Sequence, residues 1–232
     1  MRKKILLFLP LLFSLSSKAE DTTRYELNVN DFIELKVTDG INVDYYCNPD
    51  SAGKVVYETV PDLASQIILV QGADKLEIQL ATKENGSYSG LPTVTVYSTF
   101  LTKIENAGDS LVRAMSVAPG AKFKARVIGN GRLSVRNIEA SQVDASIDTG
   151  NGSITIYGKA QSASLKSTGR GNIQADGLIA KNVKCSLWGT GSIGCDAEET
   201  LSIMGAGSGT VYYKGSPIIK NRSIGVKTSK LE

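Results

Sequence analysis

A Gly-x-Gly triplet recurs five times in the second half of the chain, at Gly129-Asn130-Gly131, Gly150-Asn151-Gly152, Gly169-Arg170-Gly171, Gly189-Thr190-Gly191 and Gly207-Ser208-Gly209. Successive first glycines are 21, 19, 20 and 18 residues apart, and an imperfect copy, Gly108-Asp109-Ser110, lies 21 residues earlier. The residues after each triplet alternate in register. The second position is Leu133, Ile154, Ile173, Ile193 or Val211, and the fourth is Val135, Ile156, Ala175, Cys195 or Tyr213. Such alternation is the signature of a strand with one buried face. The segments before the triplets alternate as well, through Phe123, Ala125 and Val127, then Ala163 and Leu165, then Val183, Cys185 and Leu187, then Leu201 and Ile203. Before the second triplet the set Val143, Ala145, Ile147 is slipped by one, which predicts an extra residue or bulge at that corner.

A unit of strand, tight corner and strand cannot bury its own apolar face. Stacking such units places like residues over like and closes a continuous core. Twenty residues leave no room for a crossover helix. An antiparallel sandwich would instead space its turns about 8–12 residues apart. The pattern therefore predicts an all-β fold, a single-stranded parallel β-helix (solenoid) with about 20-residue coils. The regular Gly-x-Gly coils span 111–220, within a β-helix domain of 20–220, and 221–232 form a C-terminal tail. The first half, 20–110, is less regular. Ile33, Leu35 and Val37 alternate, as do Ile41, Val43 and Tyr45, and further strands read at Leu76–Leu80 and Val94–Tyr97. This half is expected to begin the same solenoid with longer coils and insertions, and Pro61-Asp62-Leu63-Ala64 predicts a short helix.

Residues 1–19 read as a signal peptide: a basic start at Arg2, Lys3 and Lys4, an apolar run from Ile5 to Leu15, and Ser17-Lys18-Ala19 as a cleavage site. The run is too short for the roughly 20 residues that cross a bilayer. The expected location is the periplasm or the cell surface, with no membrane span in the mature chain. The full chain has 26 Lys+Arg and 23 Asp+Glu; the leader holds Arg2, Lys3, Lys4 and Lys18 and no acid, leaving 22 against 23. A net charge near −1 with no basic run excludes an electrostatic footprint for nucleic acid.

The order of Asp39-Gly40-Ile41-Asn42-Val43, Leu76-Glu77-Ile78, Leu91-Pro92-Thr93-Val94-Thr95-Val96-Tyr97, Leu101, Ile104 and Gly108-Asp109-Ser110, leading into the Gly-x-Gly coils, resembles the auto-transporter adhesin head GIN domain family of exported bacterial proteins, frequent in Bacteroidota. The resemblance covers about residues 25–215. It implies a right-handed β-helix and an adhesin role. It carries no established site, and the C-terminal β-barrel by which a true auto-transporter crosses the outer membrane is not expected from this sequence.

The chemistry is sparse. With no histidine, Ser-His-Asp and Cys-His nucleophile systems and His-based zinc sites are excluded. No Gly-x-Gly opens a helix, so none is a dinucleotide site. Cys185 and Cys195 fall on inward registers; core packing is expected of them, with a disulfide as the alternative if their strands approach within about 7 Å. Cys47 is expected in the core. Asp144, Asp148, Asp176 and Asp196 are the acids to weigh for a glycosidase or lyase, and they flank different corners. Three further features invite attention: the polar loop from Lys83 to Gly90 with Tyr88 expected at the surface; Trp188 on an outward register, as a stacking platform or packed under a loop; and Asp109-Ser110-Leu111, which resembles a short O-glycosylation motif. No residue is assigned as catalytic, cofactor-binding or metal-binding, and no cofactor is expected. The function expected is non-catalytic: an exported envelope adhesin that binds a glycan or envelope protein through the solenoid surface. The alternatives are a carbohydrate-active enzyme and a structural envelope component self-associating through open solenoid ends.

Overall fold

A computed structural model describes residues 22–82 and 88–231. The signal peptide expected at 1–19 and residues 83–87 of the polar loop lie outside them. The regular half consists of β10 (Gly120–Val127), β11 (Arg132–Ile147), β12 (Ser153–Gly169), β13 (Asn172–Gly189), β14 (Ser192–Ala206), β15 (Thr210–Lys214), β16 (Ile218–Ile224) and β17 (Lys227–Lys230). Every pairing among them is parallel. Leu133, Ile154, Ile173, Ile193 and Val211 stand opposite one another on successive coils, and all are essentially fully buried. This is the aliphatic column expected from the repeat. Each such side chain contributes about 1.5–3 kcal/mol by leaving water, and none could do so in an isolated coil.

The first triplet glycine meets two demands and the second meets one. Gly189 has φ +128°, which an L side chain resists, and a Cβ on it would come within 2.2 Å of the Gly169 carbonyl oxygen one coil below; at Gly191 a Cβ would come within 2.1 Å of the Gly171 carbonyl oxygen. Both glycines let the corners stack at strand spacing, and the first also turns the chain. Amides keep bonding across the corners, as from Gly152 to the Gly129 carbonyl (3.0 Å) and from Asn172 to the Gly152 carbonyl (3.0 Å). The corner after Ile147 carries one residue more than that after Val127, although Val127 and Ile147 are directly paired, so the slip is absorbed there. Each coil bends a second time on the far side. There Asn137 takes φ 54°, and the ladders shift register at Val135/Ile138, Thr155/Tyr157 and Ala175/Ile179.

The first half joins the same stack out of chain order. β2 (Glu34–Val37) and β3 (Val43–Cys47) form one coil, β6 (Lys75–Leu80) and β7 (Val94–Ser98) a second, and β8 (Lys103–Asn106) and β9 (Leu111–Ser116) a third. β2 lies between β6 and β8, and β3 lies between β7 and β9. The coil that comes first in sequence is therefore second in space, sandwiched by its two successors. The third coil continues into the regular half, β8 pairing with β10 and β9 with β11.

The excursion that permits this runs through β4 (Lys54–Thr59), the helix α1 (Pro61–Ala64) and β5 (Ile67–Gln71). β4 pairs antiparallel to β7, β5 antiparallel to β6, and β1 (Thr23–Asn28) antiparallel to β4. Reversed strands thus cover the end where open edges would otherwise face solvent. The helix forms where expected, with Pro61 in its first turn. The opposite end closes differently. Interior positions of the last coil turn polar, and Asn221 accepts from Ser223 N (2.9 Å) and Oγ (2.6 Å) while donating to Thr228 Oγ1 (3.3 Å).

Two inward assignments are corrected. Ile33 is exposed, because the ladder begins only at Glu34. Cys47 is only half-buried; it sits at the strand end and donates its thiol to the Thr99 carbonyl (3.2 Å).

Candidate functional site: a cleft over three stacked corners

The three permuted coils stack their corners on the side that carries the glycine triplets. The outermost corner, after β6, is described at 81–82 and 88–93; beneath it come 38–42 and then 107–110. The result is a cleft of about 780 Å³ lined by Thr38, Asp39, Gln79, Thr82, Tyr88 and Asp109, with Leu80 and Leu91 as its apolar walls. That volume lies within the range of small-ligand sites.

Three of the lining groups are tied down by hydrogen bonds, one to backbone and two to side chains. Asp39 has φ 67°, a left-handed conformation that Asp tolerates better than most residues, and its Oδ2 accepts from Leu80 N (2.9 Å). Thr38 Oγ1 donates to Glu77 (3.1 Å). Tyr88 donates its hydroxyl to Gln66 Oε1 (2.7 Å), and Gln66 is itself tied through Nε2 to the Asp62 carbonyl (3.2 Å) and Ser65 Oγ (2.8 Å). The tyrosine expected at the surface is therefore half-buried, its ring anchored to the short helix and turned to the cleft wall. Beneath the innermost corner lies Asn106, fully buried. Its amide donates to the Ser110 (2.9 Å) and Arg132 (3.1 Å) carbonyls, and its Oδ1 accepts from Gly108 N (3.1 Å). Ser110 stands where the complete triplets have their second glycine, and Asn106 bonds both its carbonyl and its hydroxyl.

Ser110 is buried, its hydroxyl turned to Asn106 Oδ1 at 3.4 Å. The Asp109-Ser110-Leu111 segment therefore does not present its serine for glycosylation. Asp109 itself is exposed at the cleft rim.

The four acids weighed from the sequence separate into two groups. Asp144 pairs with Lys122 (2.9 Å), and Asp148 with Arg126 (2.7 Å). They belong to a ladder of ion pairs down one wall that also holds Arg126–Glu105 (3.2 Å) and Lys36–Glu77 (2.7 Å). Asp176 and Asp196, expected to stand apart, are brought together at the second bend on neighbouring coils. Lys214 reaches the Asp176 carboxylate (3.0 Å) and carbonyl (3.2 Å) and lies directly beside Asp196 on the ladder. Burial, with Glu198 and Asp176 nearby, pushes the Asp196 carboxyl above its ordinary range against the pull of Lys214. The pairing was hidden because the register shift at Ala175/Ile179 moves Asp176 along the bend. Among the described residues no group of three or more acids or thiols gathers as metal ligands.

Trp188 is on the outward register, between Thr168 and Ala206 on the ladder, and is 47% exposed. A second concavity of about 520 Å³ follows the far bend over Ala140 and Ala160, with Glu139, Lys159, Lys181 and Glu198 on its rim. Its rim carries charges of both signs and its lining contains no aromatic ring.

The profile of the family described as "Putative auto-transporter adhesin, head GIN domain" matches residues 31–217. The chain belongs to this family. The head GIN assignment covers both the permuted coils and the Gly-x-Gly coils. Solved structures share the fold. A "putative adhesin" from Bacteroides fragilis NCTC 9343 superposes with a TM-score of 0.81 at 22% identity, covering 91% of this chain and 97% of that one. A "putative adhesin" from Parabacteroides distasonis ATCC 8503 gives 0.75 at 24%, covering 91% and 97%. A "putative lipid binding protein" from the same strain gives 0.71 at 19%, covering 92% and 98%. No curated protein matches the chain.

Proposed function

We propose that this head GIN protein is a non-catalytic, exported adhesin of the cell envelope that holds a glycan in the corner cleft. The reading rests on one arrangement above all. An aromatic ring, Tyr88, stands beside Asp39, Gln79, Thr82 and Asp109 in an open cleft whose floor is rigid stacked backbone. Aromatic faces pack on the apolar faces of sugar rings while carboxylates and amides take the hydroxyls, and loops fixed on a rigid scaffold are where binding groups collect. The family name and the leader-like residues 1–19 support export.

Two measurements test this. Purified protein is titrated against a glycan array and its best ligand by calorimetry, for the wild type and for Tyr88→Ala. Saturable binding without change to the glycan, weakened tenfold or more in Tyr88→Ala, is the expected result. Binding unaffected by Tyr88→Ala would move the site elsewhere, to Trp188 first. Depolymerisation of the glycan that is lost in Asp196→Asn would replace the adhesin reading by an enzymatic one at the Asp176–Lys214–Asp196 bend. Fractionation of the native cells checks export separately.

A further inference from the structure

Each regular coil has an inward residue before its corner and another after it, about ten positions on. The equivalent pairs are Ala125 and Val135, Ala145 and Ile156, Leu165 and Ala175, Cys185 and Cys195, and Ile203 and Tyr213; their strands stack in that order. Four of the five pairs contain a bulky side chain. The fifth is two thiols. Cys185 lies between Leu165 and Ile203 on one wall, and Cys195 between Ala175 and Tyr213 on the other. Their Sγ atoms are 3.9 Å apart, and both residues are at most 1% exposed.

We infer that Cys185 and Cys195 are a disulfide site, oxidised during folding into a staple across the interior of one coil. The two thiols already face each other at van der Waals contact; rotation about the side-chain bonds has to close a gap of about 2 Å to reach bonding distance. No third thiol competes. Cys47 sits on β3, far along the stack, with its thiol on the Thr99 carbonyl. The ring so closed runs from Cys185 to Cys195 and contains Trp188 and the Gly189-Thr190-Gly191 corner, so the staple would also fix the exposed indole on its ladder.

Timing follows from burial. The hydrogen bond to Cys195, reinforced by desolvation, holds the Cys185 thiol well above its ordinary pKa. The attacking species in disulfide exchange is the thiolate, so the closed coil is inert and the reaction belongs to the open chain. With glutathione disulfide as oxidant, the thiolate of one cysteine attacks a glutathione sulfur and expels one glutathione. The thiolate of the other then attacks the mixed disulfide and expels the second. Two protein thiols are oxidised, one glutathione disulfide is reduced to two glutathiones, and the two protons the cysteines give up are taken by the two glutathione thiolates expelled.

The test needs neither export nor a glycan, so it stands apart from the function proposed above. The full chain is unfolded under reducing conditions, refolded in a glutathione redox couple, then alkylated in denaturant and weighed. The expected product is lighter than the reduced chain by the mass of two hydrogens before alkylation. It carries one alkyl group, on Cys47, yields a cross-linked peptide joining Cys185 to Cys195, and melts higher than the same protein after reduction. The Cys185→Ala/Cys195→Ala double variant should melt at the same temperature with and without reductant. Three alkylated cysteines, a bridge to Cys47, or only glutathione adducts on Cys185 and Cys195 would overturn the proposal.

Discussion

Gly108 lies so close beneath Asp39 that a Cβ on it would fall 1.5 Å from the Asp39 carbonyl oxygen. That contact is where the third coil in sequence seats on the first, and it forms the floor of the cleft. Gly108→Ala must push the two corners apart. It should destabilise by roughly 1–3 kcal/mol, the range for forced overpacking, or more, and loosen any ligand bound there. Gly40 is the control: nothing lies within 4 Å of a Cβ built on it and its φ is not in the left-handed range, so Gly40→Ala should shift the urea midpoint negligibly. Equal losses in the two variants would contradict the stacking of these corners.

The regular half was legible because one physical demand recurs at a fixed interval. Ile154, Ile173 and Ile193 occupy like positions 19 and 20 residues apart, and only parallel stacking buries all three. The permuted half was not legible, for a reason of the same kind. Leu35 and Val37 read as a strand from their alternation, but alternation does not say which neighbour a strand takes. The sandwiching of β2 between β6 and β8 is decided by the excursion through β4, α1 and β5, which has no period. The cleft was half-visible. Tyr88 and Asp109 each stood out in the sequence, but nothing local indicated that their corners would be near neighbours in the stack. Asp176 and Asp196 escaped notice as neighbours because a register shift at the second bend lies between them.

Replacing Ile173 by alanine should cost about 2–5 kcal/mol, the range for large-to-small substitutions in a packed core. Coils above and below hold the gap open and limit relaxation. Gln174, one position on and outward, makes one exposed contact, accepting from Thr155 Oγ1 (3.1 Å). Gln174→Ala should stay within about 0.5 kcal/mol of wild type. Chemical denaturation of the pair reads the difference, and similar values would deny that the two positions face opposite sides.

Asn106 should be as sensitive as an aliphatic core residue although it is polar. Its side chain satisfies two carbonyls and the Gly108 amide in a site closed to solvent. Asn106→Ala would remove the Gly108 amide's acceptor and a donor to the Arg132 carbonyl, while the Ser110 carbonyl would keep its bond from Arg132 N (2.9 Å); the cost is about 1–3 kcal/mol for each group left unpaired that water does not reach. Amide exchange at Gly108 should speed up in the variant relative to the corner amide of Gly152, which bonds only backbone. Unchanged exchange would show that the corner does not depend on Asn106.

The last expectation concerns acid and tests the permuted order directly. Lys36 on β2 and Glu77 on β6 are opposite one another on the ladder although 41 positions apart in sequence. Hydrogen bonds from Lys36 (2.7 Å) and Lys75 (2.8 Å), with a smaller share from Thr38, hold the Glu77 carboxyl down at about 2. In the unfolded chain the same group titrates near 4.3. A carboxyl whose folded pKa is depressed stabilises the fold fully above the unfolded value, and that contribution is lost as pH falls from there towards the folded one. Wild-type stability should therefore drop between about pH 4.3 and 2, and Glu77→Gln should be weaker at neutral pH and lose less over that acid interval. Urea midpoints for both proteins across the interval settle it. If Lys36→Met altered the acid limb no more than a distant lysine variant, for example Lys227→Met, β2 and β6 would not be partners.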